Sequence, residues 1–288
     1  MSLDFRVLAP LGCRVGESPV WDARRDALFL CDVLAPAIHR VGLDGALRGT
    51  WRFDRPVGSL GLTESGRLVV ALGRDVVVLD PETGALSALA SLPEPGTSRL
   101  NDGKVGPDGR FYVGSMDDRP VKEPVGALYR VSADGGAERV ASGFKVSNGL
   151  AWSSDGRRLY HSDSRGPWID AHDVDPATGR LSGRRRLVDL DDATGRPDGG
   201  ACDAEGGYWS AGVSAGVLNR FDAEGALVAR HPLPVRAPTM PCFCGPGLGL
   251  LALTSLSEGL PPGDGLDGHL LIAEAPVAGV PVTRMEGL

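Results

Sequence analysis

Apolar residues along this chain fall in short, β-rich runs. Such runs begin at Leu28, Leu68, Phe111, Leu159, Tyr208 and Leu250, spaced 40, 43, 48, 49 and 42 residues apart. Each is followed closely by a second run: "SGRLVVAL" by "DVVVLDPETG", "GRFYVGS" by "GALYRVSADG", "GGYWSAG" by "GVLNRFDAEG". Two β-rich runs joined by a turn read as a hairpin. Asp followed shortly by Gly closes most of the second runs, as a turn with a positive-φ residue requires. A third short run, such as "ALSALASL" or "ALVARHPL", supplies an outer strand. No stretch of 12 residues sustains apolar i, i+3, i+4 spacing, so almost no helix is expected.

A repeat of this length with several strands is the signature of a propeller blade. The chain therefore predicts an all-β, six-bladed β-propeller with four antiparallel strands per blade. No blade can bury both faces alone, so residues 1–288 are expected to form one closed domain. Ring closure needs strands from both ends of the chain, which places "FRVLAP" (5–10) beside the last blade. The segment before each hairpin is expected to be innermost: "GESPVW", "VGSLGL", "RLNDGKV", "SNGLAW", "PDGGACD" and "TMPCFC". Long connections at about 115–126, 162–168, 189–199 and 255–268 are expected on one rim, where they would shape a site.

Composition narrows the partners. A hydrophobic share of 42% with 41 Gly and 22 Pro suits a turn-rich β-protein, and a formal charge of −7 disfavours nucleic acid. No run approaches 18 apolar residues, so no membrane span is expected. The first residues lack the pattern of a secretory leader, and the five cysteines are odd in number and scattered. Together these predict a reducing, cytoplasmic setting, with the thiols as small buried core residues. Closed propellers expose few strand edges, so a monomer is the expectation.

The chemistry lies at one recurring offset. Counting back 10 or 11 residues from each run lands on Glu17, Gly58, Asn101, Asn148, Asp198 and Met240 or their immediate neighbours. In a ring, equivalent positions face one another around the axis. Two carboxylates and an amide oxygen are hard ligands suited to Ca²⁺, Mg²⁺ or Mn²⁺. Two carboxylates near a low-dielectric axis repel, and a divalent cation would relieve them. For any one residue alone turn chemistry is the stronger reading, Asn148-Gly149 and Asn101-Asp102-Gly103 especially; four at one offset point to a metal and substrate site in the central channel. Val57-Gly58 and Thr239-Met240 would leave the opposite side of the channel open, and substrate access is expected there. Gly212-Val213-Ser214-Ala215-Gly216 matches a nucleophile-elbow string but lies inside a hairpin, without the required helix. The "GLGLLA" string at 247–252 likewise lacks the helix of a dinucleotide site. The five histidines show no metal-binding spacing.

Four of these segments occur together in order: "CRVGESPVWD" (13–22), "RLNDGKVGPDGRFYVGSM" (99–116), "VSNGLAWSSD" (146–155) and "RPDGGACDAEGGYW" (196–209). In this the chain resembles the senescence-marker-protein/gluconolactonase/regucalcin family of six-bladed propellers over roughly residues 5–255. The resemblance implies a divalent cation, Ca²⁺ foremost with Zn²⁺, Mn²⁺ or Mg²⁺ as alternatives, bound by Glu17, Asn148 and Asp198. It implies substrate contacts from Arg99 and Asn101 and a general base in Asp198. Family members often carry an acidic residue after the Gly-(Thr/Ser)-Met segment; here Asp117, Asp118 and Arg119 stand there, with Asp118 as the candidate contact. The implied activity is metal-dependent hydrolysis of an aldono-1,4- or 1,5-lactone to the aldonic acid. Alternatives are another lactone or a phosphotriester at the same metal, or a non-catalytic calcium-binding or interaction propeller.

Overall fold

The computed structural model describes residues 3–261, 263 and 265–288. Six four-stranded antiparallel sheets follow one another in a ring. Blades 1 to 5 are each built from four consecutive strands, and their inner strands are Gly16–Asp22, Val57–Leu62, Ser98–Val105, Ser147–Trp152 and Pro197–Cys202. Blade 6 takes Pro238–Cys244, Leu250–Ser255 and Leu270–Glu274 from the end of the chain and Arg6–Ala9 from its start, which pairs outside Leu270–Glu274. The ring thus closes through "FRVLAP", as the pattern predicted. Among the described residues there is no α-helix, only a 3₁₀ turn at Pro246–Leu248.

The burial pattern explains why a single blade could not stand alone. In blade 1 the strands Gly16–Asp22 and Ala27–Asp32 are buried at every position, whereas Leu47–Arg52 at the outside is largely exposed. Core clusters therefore form at the seams: Phe29 and Cys31 of blade 1 pack with Leu60, Leu68 and Val70 of blade 2. Val69 and Ala71, on the other face of that strand, pack with Phe111 and Val113 of blade 3. The last seam joins Leu28 and Leu30 to Cys242, Cys244 and Ala252. All five cysteines are buried and free.

The outer turns obey local chemistry. Asp80, Asp134, Asp175 and Asp222 each accept backbone N–H bonds two or more residues on, and each turn closes on a glycine of positive φ (Gly84, Gly135, Gly179, Gly225).

After Glu274 the chain runs as a strap across the rim opposite the inner-strand starts. Val280 N donates to Cys202 O (3.1 Å) in blade 5, and Met285 N donates to Leu62 O (2.8 Å) in blade 2. Met285 is fully buried, and Arg284 pairs with Asp22 of blade 1. Residues 280–283 floor a largely apolar cavity of about 350 Å³, with Val20, Trp152, Cys202 and Phe243 in its walls.

Candidate active site

The inner strands break pairing at one level of the ring. Register jumps from Glu17↔Cys31 to Val20↔Phe29, from Leu100↔Ser115 to Gly103↔Val113, from Asn148↔Ser162 to Ala151↔Tyr160, and from Pro197↔Gly212 to Gly200↔Ser210. The other two blades shift at Val57/Ser59 and Pro238/Pro241. Each jump leaves one extra residue in the inner strand, a β-bulge that re-aims the chain locally. The shared sequence offset therefore hides two positions. Glu17 and Asn148 are the last paired residues before the bulge; Asn101 and Asp198 sit one step later, within it. After the first two the backbone turns left-handed, at Ser18 (φ 49) and Gly149 (φ 68).

These residues meet at the channel mouth. Asn101 Nδ2 donates to Ser147 O (3.0 Å) and to Asn148 Oδ1 (3.2 Å). Asn148 Nδ2 donates to Ser164 Oγ (2.9 Å) and to Asp198 Oδ1. Arg99 Nη1 donates to Asn101 Oδ1 (2.9 Å), and its Nε donates to Asp118 Oδ1 (3.0 Å). Glu17 Oε2 accepts from the Ser18 amide at 2.8 Å.

The electrostatics are unfavourable for bare carboxylates. Burial, reinforced by Asp198 and Asp102, pushes Glu17 well above the usual carboxylate range. Desolvation and then Asp102 push Asp198 up, against the pull of Arg196, Arg99 and Arg165. Among the described residues neither carboxylate has an arginine or lysine at ion-pair distance; Arg99 gives its ion pair to Asp118. Nor do three His, Cys, Asp or Glu side chains converge among them. The donor set is two carboxylates and one amide, which fits a hard divalent cation. Such a cation needs the oxygen of Asn148, rather than its NH₂, to face Asp198, a half-turn of the amide that gives up the bond Asn148 Oδ1 accepts from Asn101.

Residues 15–257 match the SMP-30/Gluconolactonase/LRE-like region. The chain belongs to that family. It is 35% identical to a regucalcin of Xenopus laevis over 253 residues, covering 86% of this chain and 85% of that one. It is 36% identical to a 6-deoxy-6-sulfogluconolactonase of Pseudomonas putida over 246 residues, 85% of this chain and 84% of the relative. A solved regucalcin of Agrobacterium tumefaciens, described as a calcium-binding protein, superposes with a TM-score of 0.91 over 99% of this chain and 98% of its own, at 26% identity.

Against the family pattern, the acidic loop resolves into two roles. Asp117 is fully buried: its carboxylate accepts from Arg119 Nη2 (2.7 Å), from the Arg119 amide (3.1 Å) and from the Glu123 amide (2.8 Å), which fixes the loop 118–125. Asp118 is half exposed and holds Arg99. Asp102, read from sequence only as part of a turn, is 2% exposed beneath the mouth. Its Oδ2 accepts from the Leu150 amide (2.9 Å), and burial raises its pKa against the opposing charge of Lys104. The buried Ser147 and Ser164, which hold Asn101 and Asn148, carried no sequence signal beyond their neighbours. Gly58 also packs a seam. A Cβ there would lie 2.6 Å from Leu100 O, so its absence lets blades 2 and 3 approach. Thr239 turns into the blade 6–blade 1 seam, donating to Gly16 O. Ser214 fixes a turn, accepting from the Arg196 amide (2.8 Å) and donating to Asp192 O (3.0 Å). No helix among the described residues is long and apolar enough to cross a membrane.

Proposed function

We propose that this protein hydrolyses a sugar lactone, opening an aldono-1,4- or 1,5-lactone to the aldonic acid, with a divalent cation held by Glu17, Asn148 and Asp198. The observation that carries the reading is the pairing of Glu17 and Asp198, two desolvated carboxylates without a basic partner, with an amide between blades 4 and 5. The lactonase and calcium-binding relatives support it. When bound, the cation polarises the lactone carbonyl and offsets charge on the oxyanion.

The protein groups supply the remainder. Asp198 takes a proton from the attacking water as the water oxygen bonds to the carbonyl carbon. The ring C–O bond then breaks, and the ring oxygen accepts a proton to become the sugar hydroxyl. Arg99, held by Asn101 and Asp118, presents N–H groups to the sugar, and Asp118 accepts from a hydroxyl. Asn101, from the neighbouring blade, holds Asn148 in its cation-free orientation.

The test is a pH-indicator screen of glucono-, galactono-, arabinono- and xylonolactone with Ca²⁺, Mn²⁺, Mg²⁺ and Zn²⁺. Turnover that ceases on chelation and returns with a divalent ion is expected. Turnover indifferent to chelation, or retained in Asp198→Ala, overturns the mechanism.

A further inference from the structure

Beside Arg99 the rim opens into a recess of about 370 Å³ between blades 2 and 3, bounded by Arg55, Arg74, Asp75, Ser98, Arg99 and Asp118 among others. Arg99 belongs to both the recess and the channel mouth, so a molecule reaching Glu17 and Asp198 could extend into it. The guanidiniums there differ in how they are satisfied. Arg55 pairs with Asp75 (2.6 Å) and Asp54 (3.6 Å), and Arg99 with Asp118 (3.0 Å). Arg74 donates one hydrogen bond to Glu94 O (3.2 Å) and has no carboxylate at ion-pair distance among the described residues. Ser98, 6% exposed, has a hydroxyl without a hydrogen-bond partner among them. The lining alone holds three arginines and two carboxylates, a formal +1 (3 − 2), and with the exposed Asp54 beside Arg55 it is Arg74 that remains without a counter-charge, on a chain whose net charge is −7. Basic residues across the mouth extend that field: Arg165 and Arg196 act on Asp198, and Lys122 lies within reach of Arg99.

We propose that this recess binds an anionic group on the substrate, at the end of the sugar remote from the lactone carbonyl. The inference rests on the lactonase reading above and names its substrate class: a sugar lactone bearing a sulfonate, phosphate or carboxylate. The free N–H edge of Arg74 offers two parallel donors to two oxygens of such a group, and the Ser98 hydroxyl offers another. A neutral sugar leaves that guanidinium without a counter-charge. A positive recess on an acidic protein also draws anionic substrate toward the mouth, an attraction that salt weakens.

The experiment compares kcat/KM for gluconolactone and for its 6-sulfo, 6-phospho and 6-carboxylate counterparts, in wild type and in Arg74→Gln. The wild type is expected to prefer at least one anionic lactone by about ten-fold or more; which of the three leads identifies the group. Arg74→Gln should remove most of that preference, chiefly through KM, and about 0.5 M salt should erode it. Arg74 is solvent-exposed, so the variant should fold, and Ser98→Ala provides a second reduction of the same ratio. Equal kcat/KM for all four lactones, or a preference that survives both substitutions, overturns the anion subsite and leaves the lactonase reading standing. Failure to hydrolyse any of the four, or any lactone of the wider screen above, overturns both.

Discussion

Asn148 donates from Nδ2 to Oδ1 of Asp198, joining blades 4 and 5 at the channel mouth. An amide N–H facing a carboxylate is a partial remedy for charge in a desolvated place; a cation is a full one. Asp198→Asn keeps the shape and removes the charge, so it separates function from folding. Lactone hydrolysis should fall about a thousand-fold, the scale of a lost general base. The cation-free protein should become more stable, because Asp102 and Glu17 no longer face a third carboxylate. A gain of about 1 kcal/mol would raise Tm by roughly 2–4 °C. Hydrolysis within ten-fold of wild type would remove Asp198 from the chemistry.

Cation binding has its own readout in stability. A ligand that binds only the folded state stabilises by about 2.7 kcal/mol at a hundred times its dissociation constant. Saturating Ca²⁺ or Mn²⁺ should therefore raise the wild-type Tm by several degrees. The shift should shrink in Glu17→Gln and in Asn148→Ala, and remain in Ser132→Ala, whose hydroxyl only ties the exposed turn between the two outer strands of blade 3. Equal shifts in all four proteins would mean that the cation binds elsewhere.

Much of this architecture was legible in the sequence because it follows from period. Strand-like runs at near-constant spacing dictated six blades, and "FRVLAP" was the spare strand that ring closure required. The offset that picked out Glu17, Asn101, Asn148 and Asp198 was sound to within one residue. One residue is the size of a β-bulge, so the offset could not distinguish paired Glu17 and Asn148 from unpaired Asn101 and Asp198. Contacts between blades were hidden for another reason: Ser164 and Ser147 are ordinary strand residues until the ring brings them against Asn148 and Asn101. The strap was also invisible, since residues 275–288 carry neither the period nor a motif. Gly58 and Thr239, read as open channel wall, also serve close packing at seams.

Gly149 tests how the bulge aims Asn148. Its φ of 68 disfavours any side chain, and a Cβ there would lie 2.5 Å from both Ser162 Oγ and the Tyr208 hydroxyl. Gly206 has a φ of 89, but a Cβ there would meet nothing within 4 Å, so Gly206→Ala isolates the backbone contribution. That contribution is about 1–3 kcal/mol. Gly149→Ala should cost more than Gly206→Ala in urea denaturation and should also depress hydrolysis by displacing Asn148. Equal stability losses would show that Ser162 and Tyr208 give way.

The strap's anchor predicts a dependence on pH. The Asp22 carboxylate has no exposed surface and accepts from Arg25 Nη1 (2.8 Å) and from Arg284, 262 residues away. Burial works against its charge, and the two arginines outweigh burial, holding Asp22 below its usual range. A carboxylate lowered in the folded state contributes stability that is present above its unfolded pKa, about 3.9. That stability is lost as pH falls through the lower folded value. Arg284→Ala leaves Asp22 with Arg25 as its one charged partner, beside the Arg24 amide, and frees the strap from blade 1. The loss should be about 2–3 kcal/mol at pH 7, somewhat below the cost of fully unpairing a buried charge. It should hold down to about pH 4 and narrow in more acid solution, where the unfolded chain begins to bind the proton that the folded wild type refuses. Urea denaturation of both proteins between pH 7 and pH 3 measures it. A difference that stays constant across that range would assign the anchoring to packing of Met285 and the strap's backbone bonds, with the ion pair contributing nothing.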